Sequence, residues 1–255
     1  MPAHQFALSS VSRNAFKVSR LMPLLAVIFF CWLLSVPAAP PAADSAVDFP
    51  LAPKTKWTNH LHQEMGEGVH FGPLMSKLAK GNSLDVSVIT EVVGSDLING
   101  EKYMRRETRM KGTLWQTEWL RQTPNGLLLG KSMDAEAGDE VLMVPPEKLL
   151  SPNLKAGESW EWKAADASVV VQFKVVGPAD LTVPAGTFHA IEVSYHATYQ
   201  IEGGMITVRQ TSWFTSGVGY VKQDTESRLG DHLLSHVVFT LEKFEPVPAA
   251  QPVGD

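Results

Sequence analysis

Downstream of residue 80, apolar and polar side chains alternate one for one along most of the chain. Ile191-Glu192-Val193-Ser194-Tyr195-His196-Ala197-Thr198-Tyr199 is the clearest run, with apolar or aromatic residues at odd positions and polar ones at even positions. That period of two marks a strand with one buried face. Asp85 to Val93 puts Val86 and Val88 on one face, and Thr113 to Thr123 puts Trp115 and Trp119 on one parity, Leu114 and Leu120 on the other. Further strand-like runs lie at 97–110, 127–132, 140–144, 159–162, 169–176, 206–213, 219–225 and 233–244, and Pro145-Pro146 breaks the series. Residues 72–80 depart from it, since Leu74, Met75 and Leu78 fall at helical spacing and predict one short covering helix.

The punctuation agrees with antiparallel pairing. Val183-Pro184-Ala185-Gly186 fits a tight turn with Pro second and Gly fourth, between Leu181-Thr182-Val183 and the 191–199 strand. Phe188 falls on the polar parity, which predicts a bulge near His189 or a ring covering a sheet edge. Pro124-Asn125-Gly126 reads as a hairpin, and Asn99-Gly100 as a tight turn or bulge. The expectation is an all-β fold: a strongly curved antiparallel sheet, half-barrel or barrel, of about ten strands, near the size at which open sheets curl. Pro50 to Trp57 and Pro152 to Trp160 echo one another, each leading through a Lys-bearing turn into a Trp that starts a strand.

Composition changes the picture mainly at the N-terminus. Residues 1–38 read as a signal peptide: Arg13, Lys17 and Arg20 without an acid, an apolar run from Leu21 to Val36, then Val36-Pro37-Ala38 as a cleavage site. The alternative is an uncleaved leader anchored in the inner membrane. The run's 16 residues span about 24 Å as a helix against a hydrocarbon core of roughly 30 Å. Residues 39–48 then form an Ala/Pro spacer, 49–245 the β domain and 246–255 a flexible tail. The lone Cys31 lies in the leader, so the mature chain carries no thiol. Losing three cations with the leader leaves 19 Lys+Arg against 27 Asp+Glu, a net of −8. That balance excludes nucleic acid and anionic lipid surfaces as non-specific partners. The chain is expected in the periplasm or outside the cell, with membrane contact only if the leader is retained.

Three stretches resemble a family of uncharacterised exported bacterial β-sheet proteins. They are Leu154-Lys155-Ala156-Gly157-Glu158-Ser159-Trp160, Val183 to Phe188, and Trp213-Phe214-Thr215-Ser216-Gly217-Val218-Gly219-Tyr220-Val221. The family shows a Lys-x-Gly-x-x-Trp strand entry, a Val-Pro-Ala-Gly-Thr-Phe turn and a Trp-x-x-x-Gly-Val-Gly-x-Val strand. The resemblance covers the last hundred residues best. It implies a curved antiparallel sheet similar in outline to periplasmic lipoprotein carriers, and brings no catalytic residues with it. Thr215-Ser216 departs from the Ala-Pro usual there.

The chemistry is sparse. Neither a nucleotide loop nor a Gly-x-Ser-x-Gly elbow occurs, and Gly217-Val218-Gly219 lacks a third glycine and a following helix. The histidines and the acidic group Asp134, Glu136, Asp139 and Glu140 lack the spacing of a zinc or EF-hand site, so no metal and no cofactor is expected. Trp115, Trp119, Tyr195 and Tyr199 are the candidate ligand-lining residues for a concave face, against the plainer reading that they fill a core. Arg105, Arg106 and Arg109 form a basic strand, either an anion site or protection of a sheet edge. The reading is a non-enzymatic envelope protein binding an apolar or amphiphilic small molecule. Two alternatives stand beside it: a structural or protein-interaction module of the envelope with a protein partner, and a hydrolase acting on acyl substrates.

Overall fold

A computed structural model describes residues 47–166, 168–201 and 204–247. The leader at 1–38, most of the spacer and most of the 246–255 tail lie outside the described residues. Twelve strands form one antiparallel sheet: β1 (Lys56–Met65), β2 (Ser83–Ile98), β3 (Glu101–Met110), β4 (Thr113–Thr123), β5 (Gly126–Asp134), β6 (Asp139–Leu150), β7 (Ser159–Lys163), β8 (Val169–Val183), β9 (Gly186–Ile201), β10 (Gly204–Thr215), β11 (Gly219–Leu229) and β12 (His232–Glu245). Their order, β6-β5-β4-β3-β2-β1-β12-β11-β10-β9-β8-β7, is that of two six-stranded meanders joined at β1 and β12. Trp57 and Trp160, the tryptophans of the sequence echo, open β1 and β7, the first strands of the two meanders.

The sheet curls until its edge strands meet. Across the seam, β6 and β7 are joined by side chains rather than by a ladder: the indoles of Trp160 and Trp162 donate to the carbonyls of Lys148 (2.8 Å) and Pro145 (2.9 Å). The Ala165 amide adds a bond to the Val144 carbonyl at 2.8 Å. This explains why β6 runs through Pro145-Pro146, which the alternation reading took as a break. The ladder to β5 pairs Lys131 with Leu142 and then Leu129 with Glu147, so both prolines fall where no ladder amide is needed. Among the described residues the barrel has twelve strands, close to the ten or so that the sequence suggested.

Turn chemistry is local and legible. Asn99 and Gly100, at φ 51° and 81°, make the two-residue β2–β3 hairpin, with left-handed backbone at both positions. Lys111 and Gly112, at φ 50° and 82°, do the same between β3 and β4. Pro184-Ala185 joins β8 and β9, with Val183 facing Gly186. The irregularity in that pair lies between Val175 and Gly177, opposite Glu192, and not near His189. Inward parity on β9 slips there, from buried Ala190 to buried Val193, which is why Phe188 also packs on the core.

Chain crosses both mouths. At the mouth holding the start of β1, residues 47–55 form a strap. Val47 donates to Pro152 and accepts from the Gln122 side chain, and the Asp48 carbonyl accepts from Gly217 (2.8 Å), at the β10–β11 turn. Strands β4 and β10 lie on opposite sides of the ring, so the strap bridges the opening. The β8–β9 hairpin bends over the same mouth, where the Ala185 amide donates to Leu241 of β12 at 3.1 Å. At the other mouth the β1–β2 connection carries α1 (Pro73–Ser76), which buries Met75. The Glu136 carboxylate accepts from the Leu74 amide at 2.6 Å and pins the helix to the β5–β6 turn.

Candidate functional site

Between the mouths the interior separates into layers. One apolar cluster gathers Phe49, Trp57, Phe173, Tyr195, Phe214 and Val221; a second gathers Leu61, Met75, Val86, Val88, Met110 and Trp115. A belt of hydroxyls and amides runs between them. Thr90 and Thr108 share a hydrogen bond at 3.0 Å. Ser212 accepts from Gln210 at 2.8 Å and from Gln223 at 3.4 Å, and Thr225 donates to Gln210 at 3.2 Å. Buried polar groups are costly unless paired, and these pair with one another.

A cavity of about 120 Å³ lies at this belt. Its lining is two-sided: Phe49, Trp57, Phe173, Val193, Tyr195 and Phe239 on the apolar part, Asn59, Thr90, Gln116, Gln210, Ser212 and Thr225 on the polar part. The described lining includes neither a histidine nor a cysteine. Arg106 and Glu118 also face it, from β3 and β4 at paired positions. The guanidinium donates through Nε (3.1 Å) and Nη2 (2.5 Å), both to Oε2 of Glu118. It lies over the rings of Phe49 (5.5 Å) and Trp57 (5.9 Å), a geometry in which cation–π attraction adds to the ion pair. Phe49 itself belongs to the strap, stacked on Phe214 and edge-on to Tyr220, so the strap supplies one wall of the cavity.

A second acid lies nearby. Glu147 of β6 is fully buried, and that burial pushes its pKa up to about 8, with the Glu118 charge acting in the same direction. Burial also raises the phenols of Tyr199 and Tyr220, helped in both by the Glu147 charge. At neutral pH the interior therefore holds an Arg106–Glu118 ion pair, a protonated Glu147 and two neutral phenols.

The residues singled out in the sequence separate in space. Tyr195 lines the cavity, edge-on to Phe173 at 5.2 Å. Trp115 lies in the second apolar cluster, stacked at 6.1 Å on the cavity residue Phe239. Tyr199 is buried in the first cluster. Trp119 points the other way: its neighbours Glu118 and Leu120 face inward, while its indole bonds Asp96 at 2.6 Å and Lys131 covers its ring. An irregularity between Thr108 and Arg109 lets Trp115 turn inward although it shares Trp119's parity. The three arginines do not converge. Arg105 pairs with Asp96 and Glu107, and Arg109 with Glu107, on the outer face, while Arg106 points inward. Glu118 shares the parity of Leu114 and Leu120, and alternation alone gave no signal that set this carboxylate apart.

On the outer face His60 and His62 both reach Oδ1 of Asp85, at 3.3 and 2.9 Å. The Asp85 bond, with Glu64 assisting, raises the His62 pKa, and the His62 bond lowers that of Asp85.

The DUF3108-like family matches residues 157–238, which hold the strand entry from Gly157 onward, the turn and the Trp-to-Val strand described above. Three solved structures match this chain in part. A candidate exported protein of YmcC-like fold from Bacteroides fragilis is 12% identical, with 78% of this chain and 99% of that one covered at a TM-score of 0.43. A candidate lipoprotein from Parabacteroides distasonis is 12% identical, with 79% and 100% covered at 0.40. The hypothetical lipoprotein YmcC from Escherichia coli is 13% identical, with 75% and 86% covered at 0.35. No curated protein matches the sequence.

Proposed function

We propose that this chain is an exported, non-enzymatic protein of the bacterial envelope that holds a small amphiphilic molecule inside its barrel. Export rests on the leader pattern of residues 1–38 and on the absence of cysteine from the mature sequence. The observation that carries the binding reading is the two-sided cavity, aromatic on one part and amide, hydroxyl and ion pair on the other. Ligand sites combine an apolar lining with a few placed polar groups in this way. A volume of about 120 Å³ suits one small molecule rather than a two-chain lipid. Native mass spectrometry of the protein isolated from its own envelope tests this. The expected result is an added small mass released on unfolding; a chain that always flies empty, in every preparation and with every candidate added, contradicts it.

A second reading, an envelope interaction module, is favoured by Leu142 and Val144, both exposed on the edge strand β6. Crosslinking at Val144 in intact envelopes would capture a protein partner under that reading and nothing under the first.

A further inference from the structure

The polar part of the cavity holds more hydrogen-bonding capacity than it uses. Both guanidinium bonds of Arg106 end on one oxygen of Glu118. Among the described residues, Nη1 of Arg106 and Oε1 of Glu118 make no hydrogen bond, although both side chains line the cavity. The pair therefore offers one unused donor and one unused acceptor, next to the rings of Phe49 and Trp57, which tilt at 35° to one another. A polar group that desolvates without a partner is costly, so a site of this kind favours whatever satisfies both edges at once.

Resting on the binding reading above, we infer that the cavity selects an uncharged amphiphile whose head both donates and accepts, such as an alcohol or a primary amide, and that Arg106 and Glu118 hold that head. A primary amide gives its N–H to Oε1 and takes Nη1 on its carbonyl, leaving the ion pair intact. A carboxylate has only acceptors. It would meet Oε1 as a like charge, and the other cation of the lining, Lys222, holds its ammonium over the Trp213 ring at 5.0 Å, so an unbalanced negative charge would remain beside Glu118, where it is strongly penalised. An ammonium has only donors and would face the guanidinium. Its charge could be balanced only by ionising Glu147, which burial holds protonated at neutral pH. Size limits the tail: an engineered cavity of about 150 Å³ holds a benzene ring, so about six carbons fit here.

Calorimetric titration of the purified protein at pH 7 with hexanamide, hexanoate and hexylammonium tests the inference, because the three probes share a tail and differ in the head. The amide is expected to bind at least about tenfold tighter than either ion, a difference of about 1.4 kcal/mol. In Glu118→Gln the like charge is gone, and hexanoate is expected to gain at least about tenfold relative to hexanamide. Hexanoate or hexylammonium binding the unaltered protein as tightly as hexanamide overturns the selectivity while leaving an interior binding site in place. No binding by any of the three overturns the site as well. The unaltered protein gives this ranking whether or not the variant folds.

Discussion

The indole N–H of Trp162 donates to the carbonyl of Pro145 at 2.9 Å, and this bond stands where a strand pairing would otherwise close the barrel. Proline has no amide to give, so this stretch of β6 can only accept, and a tryptophan one strand over supplies the donor. The seam is therefore the part of the wall without a ladder, and Trp160 repeats the arrangement at Lys148.

Trp162→Phe keeps a ring in the core but strands the Pro145 carbonyl. A cost of roughly 1–3 kcal/mol is expected, with faster amide exchange in β7 than in β1 or β12. Urea melts and hydrogen-exchange mass spectrometry check both; uniform exchange throughout the sheet would show that the bond contributes nothing local.

Glu147 sets a pH dependence of known sign. Its folded pKa, about 8, lies above the 4.5 of an exposed glutamate, so the folded chain keeps an extra proton between those values. Below that window both states are protonated and there is no effect. Through it, stability falls as pH rises, by at most ~1.4 kcal/mol per pH unit. Glu147→Gln should flatten this slope. Denaturant melts at pH 5 and pH 9 measure it, and an equal slope in both proteins would mean that the proton is not bound there.

The outer-face pair behaves differently. His62 is raised above 6.5, so its contribution is complete below that pH and is lost as pH rises through its folded pKa. Asp85 is lowered from 3.8, so its contribution is present above that value and is lost as pH falls through its folded pKa. The contact is strongest between the two. NMR titration should show the His62 ring protonating above pH 6.5, and Asp85→Asn should bring it back down.

Gly130 has no room for a side chain. A Cβ there would lie 2.5 Å from the Tyr103 ring, which the Arg121 guanidinium covers at 5.0 Å. Gly130→Ala should cost about 1–3 kcal/mol by forcing the ring aside. A thermal melt unchanged from the parent would refute that packing.

Much of the architecture was legible because strands with one buried face announce themselves by period two. Val86 and Val88, or Tyr195 and Ala197, face inward as the alternation required. The hairpin at Pro184-Ala185 followed from turn chemistry alone. What alternation could not carry was any site where the ladder is interrupted. Trp115 and Trp119 share a parity in sequence yet diverge at the irregularity beside Arg109. Pro145-Pro146 looked like an end because proline is excluded from paired positions, and nothing local told that β6 was unpaired on its outer side. The cavity was hidden for a different reason. Thr108, Gln116, Glu118 and Ser212 are polar, yet they face the interior with apolar residues: Glu118 shares the parity of Leu120, and Ser212 that of Ile206 and Val208. Alternation shows which residues share a face, and it took the closed ring to show that the polar members of the inner face enclose a space.

The most direct test is a methyl NMR titration of the protein with hexanamide, following assigned valine and leucine signals. Val193, Leu129 and Val237 line the cavity, while Leu97, Val144 and Val176 are exposed outside it. The account predicts saturable shifts at the first three and none at the last three. Shifts confined to the outer methyls, or none at saturating probe, would contradict a binding site inside the barrel.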